Sequence, residues 1–129
     1  MPRIEMSKLV EKMDLKNLTP DVDLSGIYLE EPEVNRPALQ LTGYFDHFDN
    51  QRIQIIGYVE YTFLERMDPK EKERIYDQLL ACRIPCLIFC RNMQPDKILV
   101  EKAEKADIPV FITEKVTSAF MAEVIRWLN

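Results

Sequence analysis

Glycine is scarce in this chain, and its spacing excludes one large class of nucleotide site. The 129 residues contain only three glycines, widely separated at Gly26, Gly43 and Gly57. In a P-loop, clustered glycines let backbone amides crowd the phosphates, while a lysine and a hydroxyl reach the phosphate and magnesium. Neither G-x-x-x-x-G-K-[ST] nor G-x-G-x-x-G occurs. The sequence therefore predicts no catalytic residues for phosphoryl transfer and no nucleotide cofactor bound by this chain.

The sequence also lacks long apolar runs and clusters of like charge. No apolar run approaches the roughly 20 residues that span a bilayer, and the charged N-terminus does not have the pattern of a signal peptide. The net charge is -5, with basic and acidic residues interspersed, so no basic face for nucleic acid can be recognised. We expect a cytoplasmic chain with no membrane and no nucleic-acid partner. Its length predicts one domain over residues 1–129.

Histidine and cysteine offer little chemistry. His47 is the only histidine and lies among polar and aromatic neighbours, which is typical of a surface residue. The cysteines Cys82, Cys86 and Cys90 have a spacing that suggests a metal site, but Pro85 breaks any helix that could align all three. In a strand buried on both faces, a free cysteine behaves as a small hydrophobic residue. Structural cysteines and no metal site are the prediction.

Apolar periodicity predicts an α/β fold in the second half of the chain. An Asp-Pro start at Asp68 predicts a helix with a buried stripe, and Gln94-Pro95 predicts the start of another. Short apolar runs predict three strands, Ile53–Gly57, Pro85–Arg91 and Pro109–Thr113. An apolar stripe with helical spacing predicts a last helix over Val116–Leu128. Such strands joined by crossover helices imply a mostly parallel sheet with helices on both faces, a three-layer sandwich.

The first half of the chain is less regular. Met6–Met13 has the spacing of a two-turn helix, and Val59–Met67 that of another short one. We expect a loop from Lys16 to Pro20 and one or two short strands around Gly26. A helical turn is expected to follow Arg36-Pro37 and to end at Gly43. Gly43 and Gly57 are both interpreted as serving backbone geometry.

The segment Asn35–Glu60, NRPALQLTGYFDHFDNQRIQIIGYVE, carries the most specific pattern. An RPxLxLxGYF motif, a short acidic and aromatic connector, and an RIQxxG motif with Glu60 resemble the N-terminal domain of bacterial HPr kinase/phosphorylase. That resemblance covers nearly the whole chain, although Ala38 replaces a usual glycine and residues 17–33 match weakly. Its motif residues here are Arg36, Pro37, Leu39, Gly43, Tyr44, Phe45, Arg52, Gln54 and Gly57.

The resemblance implies a function for the parent enzyme more than for this chain. Members of this family phosphorylate and dephosphorylate a serine of the phosphocarrier HPr in carbon-catabolite regulation. Their P-loop, and hence the ATP and magnesium sites, belong to a following catalytic domain, and that domain also forms most of a hexamer. The fold is similar to the N-terminal module of the muramyl peptide ligases. The chain is then either an isolated domain or a short relative without the second domain.

Three functions remain open from the residues. The first is a non-catalytic regulatory or assembly domain, with the catalytic domain or other subunits of a homo-oligomer as partners. The second is a docking module, with HPr as a candidate partner, that uses Arg36, Tyr44 and Arg52, since arginine and tyrosine are favoured at interfaces. The third is a metabolite sensor whose crevice lies beyond the carboxyl ends of the strands, near Gly57-Tyr58, Arg91-Asn92 and Thr113-Glu114.

Overall fold

A computed structural model of the chain describes residues 3–129. Within that range six helices and seven short strands form. The helices are α1 Met6–Met13, α2 Ala38–Leu41, α3 Tyr58–Arg66, α4 Pro69–Ala81, α5 Lys97–Lys105 and α6 Thr117–Leu128. The strands are β1 Ile4–Glu5, β2 Lys16–Asn17, β3 Tyr28–Leu29, β4 Val34–Asn35, β5 Ile53–Ile56, β6 Leu87–Phe89 and β7 Val110–Ile112.

One mostly parallel sheet organises the chain. Its order is β2-β7-β6-β5-β4, and the four strands from β4 to β7 are parallel while β2 is antiparallel to β7. Ile55 is paired with Ile88, which is paired with Phe111, so large apolar side chains lie side by side across the centre. A separate antiparallel pair joins β1 to β3. The carboxyl ends of β4, β5, β6 and β7 therefore lie along one edge of the sheet.

Two apolar cores, one on each face of the sheet, make the fold a three-layer α/β sandwich. On the first face, α1 and α6 pack on Ile55, Ile88 and Phe111. On the second, α2 to α5 pack on Ile56 and Phe89. Because successive residues of a strand point to opposite faces, strands buried on both sides must be apolar throughout. The predicted fold class is confirmed.

The helices predicted for the second half of the chain are present, with small differences in where they begin and end. Asp68 caps α4 by accepting hydrogen bonds from the amides of Lys70 at 3.1 Å and Glu71 at 3.4 Å. Helix α5 begins at Lys97, later than the predicted start at Gln94-Pro95, with Asp96 as the N-cap residue. The strands β6 and β7 are shorter at both ends than the apolar runs that predicted them. Hydrogen bonding to neighbours, which apolar composition does not specify, sets those ends.

The first half required corrections. Lys16–Asn17 is a strand and not loop, because it pairs with Ile112 and Phe111 at the sheet edge. Val34–Asn35 is a further strand that the sequence did not reveal, paired with β5. Around Gly26 one short strand forms, Tyr28–Leu29, which agrees with the prediction of one or two. Strands of two residues have no periodicity to read, so only their tertiary partners define them.

Candidate functional site

Five residues from different elements meet at the carboxyl ends of β4, β5 and β6. We call them the carboxyl-edge cluster: Arg36, Gly57, Glu60, Cys90 and Thr117. Glu60 lies in the first turn of α3 with only 4% of its surface exposed. Its carboxylate accepts a hydrogen bond from the Gly57 amide at 2.6 Å. It also accepts two from Arg36, from Nε at 3.0 Å and Nη2 at 2.9 Å. Glu60 thus caps its own helix and joins it to the residue that follows β4.

Gly57 makes this arrangement possible by having no side chain. Its φ of -96° is open to any residue, so the interpretation as a backbone requirement is wrong here. A Cβ at Gly57 would lie 2.4 Å from Arg36 Nη2 and 2.9 Å from Thr117 Oγ1. The missing side chain lets the guanidinium cross the turn from β5 to α3. Gly43, in contrast, has a φ of +99° and does serve backbone geometry.

Thr117 and Cys90 complete the carboxyl-edge cluster from the other face. Thr117 begins α6 and is 6% exposed, and its Oγ1 has no hydrogen-bond partner among the described residues. Burial raises the pKa of the Cys90 thiol to about 11, while contact with the Thr117 hydroxyl and the charges of Arg36 and Arg91 act in the opposite direction. The thiol is therefore neutral near pH 7 and is a packing group, not a nucleophile.

A second polar group, the amide network of Asn35 and Gln54, lies at the amino end of β5. Gln54 is completely buried, and its Nε2 donates to the carbonyls of Asp49 at 3.0 Å and Arg52 at 2.9 Å. Its Oε1 accepts a hydrogen bond from Asn35 Nδ2 at 2.7 Å. One side chain thereby fixes the loop before β5 and the neighbouring strand β4. The motif glutamine is an architectural residue.

The side chains of the other motif residues lie outside both groups, although the Arg52 carbonyl accepts a hydrogen bond from Gln54. Arg52 is paired with Glu33 at 3.4 Å and with Asp49 at 3.5 Å. Pro37 is buried and immediately precedes α2. Tyr44 is 48% exposed, and the structure gives it no ion pair or aromatic partner within the described residues. His47 is exposed, as predicted.

The predicted metabolite crevice corresponds in part to a cavity. A cavity of about 340 Å³ is lined by Asn92, Thr113 and Glu114, together with Asp14, Lys16 and Lys115. Gly57 and Tyr58 do not line it, and Arg91 instead has its guanidinium 6.0 Å from the centre of the Tyr58 ring. The predicted crevice is thus divided between this cavity and the carboxyl-edge cluster.

Metal chemistry finds no support in the described range. Cys86 and Cys90 are buried in the core on the α1 and α6 face, and Cys82 is partly exposed on the other face. No group of three or more His, Cys, Asp and Glu side chains between residues 3 and 129 is placed to hold an ion. No helix in that range is long and apolar enough to cross a membrane.

Three residues of the carboxyl-edge cluster, Glu60, Cys90 and Thr117, were not among the predicted site residues. Glu60 follows Gly57 by three positions, which is the spacing of a capping box, so its contact with the helix start could have been found from the sequence. No sequence signal brings Thr117 to Gly57. That contact exists because α3 and α6 begin on opposite faces of the sheet at the same edge.

The fold places the chain in a recognisable structural class. It is similar, with a TM-score of 0.62 and 18% identity, to the CBS and DRTGG domains of the regulatory region of Clostridium perfringens pyrophosphatase. That structure is complexed with its activator, diadenosine tetraphosphate, and the match covers 94% of this chain and 45% of that one. At this identity the similarity concerns the fold alone, an α/β domain.

The sequence comparison is more specific. The family model "HPr Serine kinase N terminus" matches residues 4–128, and the chain belongs to that family. HPr kinase/phosphorylase of Lachnoclostridium phytofermentans is 49% identical over 129 residues, which are 100% of this chain and 42% of that protein. The Caldicellulosiruptor bescii protein of the same name is 35% identical over 127 residues, 96% of this chain and 40% of its own length. The chain spans about two fifths of these curated relatives.

Proposed function

We propose that this chain is a non-catalytic regulatory or assembly domain of a bifunctional HPr kinase/phosphorylase that acts in the cytoplasm. The observation that carries the proposal is the absence of any glycine-rich phosphate cradle from the sequence, in a chain that belongs to the N-terminal family of this enzyme. ATP, magnesium and the serine of HPr would be handled by a catalytic domain. Other subunits of a homo-oligomer are the expected partners.

The geometry of the motif supports this division of labour. Arg36 and Glu60 are bonded to each other, and the Gln54 amide is used up by loop carbonyls and Asn35. Catalytic side chains need polar atoms that are free to contact a substrate. The polar atoms of these side chains are instead hydrogen-bonded within the domain, where they hold strands and helices together. These contacts support a structural role for the motif.

A domain exchange tests the proposal. In the Lachnoclostridium phytofermentans enzyme, the matching region would be deleted or replaced by this chain, which is 49% identical to it. We expect deletion to change the kinase-to-phosphorylase ratio on HPr or the oligomeric state, and the exchange to restore it. Unchanged activities and assembly after deletion would contradict a regulatory or assembly role.

A separate measurement tests the non-catalytic half. Isothermal titration of this chain with magnesium ATP is expected to give no binding heat, because the chain has no P-loop. Micromolar affinity, or phosphoryl transfer to HPr by this chain alone, would overturn that half and leave the family membership intact.

Metabolite sensing is a second candidate, favoured by the cavity of about 340 Å³ at Asn92, Thr113 and Glu114. Its volume is in the range of small-molecule pockets, and it lies at the sheet edge where such ligands bind in open α/β folds. A thermal-shift screen against sugar phosphates and nucleotides tests it, and the absence of any shift counts against it. Direct docking of HPr has less support, since Arg36 and Arg52 are both engaged in internal ion pairs.

A further inference from the structure

Helix α3 exposes most of its apolar side chains instead of burying them. Of its nine residues, only Glu60 and Leu64 are buried. Tyr58, Val59 and Phe63 are 60%, 66% and 42% exposed. The apolar face of a helix in a globular domain normally packs on the core, and an exposed apolar patch is typical of an interaction site. The outward side of α3 therefore has the composition of a surface that another molecule covers.

Helix α4, on the same face of the sheet, has the ordinary arrangement. Its 13 residues bury four large side chains, Ile75, Tyr76, Leu79 and Leu80. None of its exposed positions carries a large apolar side chain. The exposed apolar residues of α3 are thus a property of that helix and not of loose packing on this side of the sheet.

Two arginines border the apolar residues of α3. Val59, Phe63 and Arg66 follow one another at spacings of four and three residues, so they lie in a row along one side of the helix. Tyr58 lies at the start of the helix, and the Arg91 guanidinium is 6.0 Å from the centre of its ring. Both Arg66 and Arg91 are exposed, and neither forms an ion pair within residues 3–129. We call these five residues the α3 face.

The acids of α3 do not neutralise this positive charge. Glu60 is buried and paired with Arg36 at 2.9 Å. Glu65 lies on another side of the helix, where it lines a cavity of about 50 Å³ together with Lys72 and Tyr76. The α3 face is therefore a local positive surface on a chain whose net charge is -5.

These charges decide which occupant fits the α3 face. A symmetric contact with a second copy of the chain would bring Arg66 and Arg91 towards the same residues of that copy, and like charges oppose such pairing. An anionic membrane surface would meet a whole side of a negatively charged protein, which the net charge also opposes. A short acidic segment meets only the local positive charge and is attracted by it.

We propose that the α3 face binds an acidic segment of a partner protein that also carries apolar side chains. Val59, Phe63 and the Tyr58 ring would cover the apolar residues of that segment, and Arg66 and Arg91 would pair with its carboxylates. Arginine and tyrosine are enriched among the residues that contribute most to binding, and arginine can donate two parallel hydrogen bonds to one carboxylate. The proposal uses none of the motif residues and does not depend on the regulatory or assembly role.

The test is a titration of the ¹⁵N-labelled 129-residue chain with two synthetic amphipathic peptides. The first consists of leucine, phenylalanine and glutamate, and in the second lysine replaces every glutamate. We expect the first peptide to give saturable amide shifts centred on α3, with a dissociation constant on the order of 0.1 mM, and the second to bind at least about tenfold more weakly. Added salt should weaken binding of the first peptide.

Matched variants assign the effect to the α3 face. Phe63→Ser and Arg66→Glu change exposed side chains, and each is expected to weaken binding of the acidic peptide about fivefold or more. Ile98→Ser and Lys70→Glu make comparable changes at exposed positions of α5 and α4 and should leave that affinity unchanged. Absence of saturable binding, equal affinity for both peptides, or full affinity in Phe63→Ser and Arg66→Glu would overturn the proposal.

Two further measurements examine the other occupants. Sedimentation velocity at rising protein concentration is expected to show a monomer, and cosedimentation with vesicles of phosphatidylserine and phosphatidylcholine is expected to show no binding. A dimer that Arg66→Glu dissociates would assign the α3 face to a second copy, and vesicle binding that the same variant abolishes would assign it to a membrane. Either result would overturn the proposal of an acidic protein partner.

Discussion

The two ends of β5 carry polar groups of opposite character. At the amino end, the amide network of Asn35 and Gln54 is neutral, and the buried Gln54 amide makes three hydrogen bonds of 2.7–3.0 Å. At the carboxyl end, the carboxyl-edge cluster buries the Glu60 charge against Arg36 and leaves the Thr117 hydroxyl unpaired. Each end also holds one buried side-chain atom without a hydrogen-bond partner among the described residues, Arg52 Nε at the amino end and Thr117 Oγ1 at the carboxyl end. The two ends therefore differ in charge, with neutral amides at one and an ion pair at the other.

The comparison is tested most strongly by removing one arginine at each end. Arg36→Met leaves the Glu60 carboxylate buried without its cation, and we expect it to lower the free energy of unfolding by about 2–3 kcal/mol. This is less than for a fully buried pair, because water still reaches Arg36. Arg52→Met is the matched control: Arg52 pairs with the exposed acids Glu33 and Asp49, so about 0–1 kcal/mol is expected. Urea unfolding measures both, and equal losses would contradict the distinction.

The next largest effect concerns the amide network. Gln54→Leu keeps the side-chain volume but leaves the carbonyls of Asp49 and Arg52 and the Asn35 amide without their partner. Buried groups left unpaired lower stability, and we expect a loss of about 2 kcal/mol. Hydrogen exchange should also show faster opening of the loop before β5. A stability equal to that of the parent chain would mean that water replaces the amide without penalty.

Gly57→Ala probes the close contact at the carboxyl edge. The new Cβ would collide with Arg36 Nη2 and Thr117 Oγ1, so we expect a loss of about 1–2 kcal/mol from displaced side chains. Combining it with Arg36→Met should give less than the sum of the two losses, because one of the colliding groups is already gone. Additive losses would show that Gly57 acts independently of Arg36.

The smallest expected effect is a decrease in the free energy of unfolding at alkaline pH, caused by Cys90. Burial raises its pKa from 9.0 to about 11, so the folded state favours the neutral thiol. The stability that this contributes is complete below pH 9 and is lost as the pH rises towards 11. At pH 10 the loss is expected to be about 1 kcal/mol. Urea midpoints at pH 8 and pH 10 should differ less in Cys90→Ala than in the parent chain, and an unaltered difference would rule out this assignment.

How far the sequence predicted the fold depended on the kind of residue pattern. Residues 84–128 contain two apolar strands and two amphipathic helices, and their types followed directly from periodicity. The strands Lys16–Asn17 and Val34–Asn35 were missed, because two residues give no period and their hydrogen-bond partners lie far away in sequence. For the site, the motif pointed to Arg36 and Gly57 but not to their contact with Thr117. A motif names residues of one segment, whereas this contact joins segments about 60 residues apart.

The sequence by itself determined the α/β class, the lack of a P-loop and the family, since periodicity, glycine spacing and a local motif are all properties of adjacent residues. The tertiary structure decided what the motif does. Only folding brings the start of α3 and the start of α6 to the same sheet edge, where Glu60 is neutralised and Thr117 is left unpaired. The physical reason is that burial and hydrogen-bond partnership depend on neighbours in space, which strand order and helix placement create.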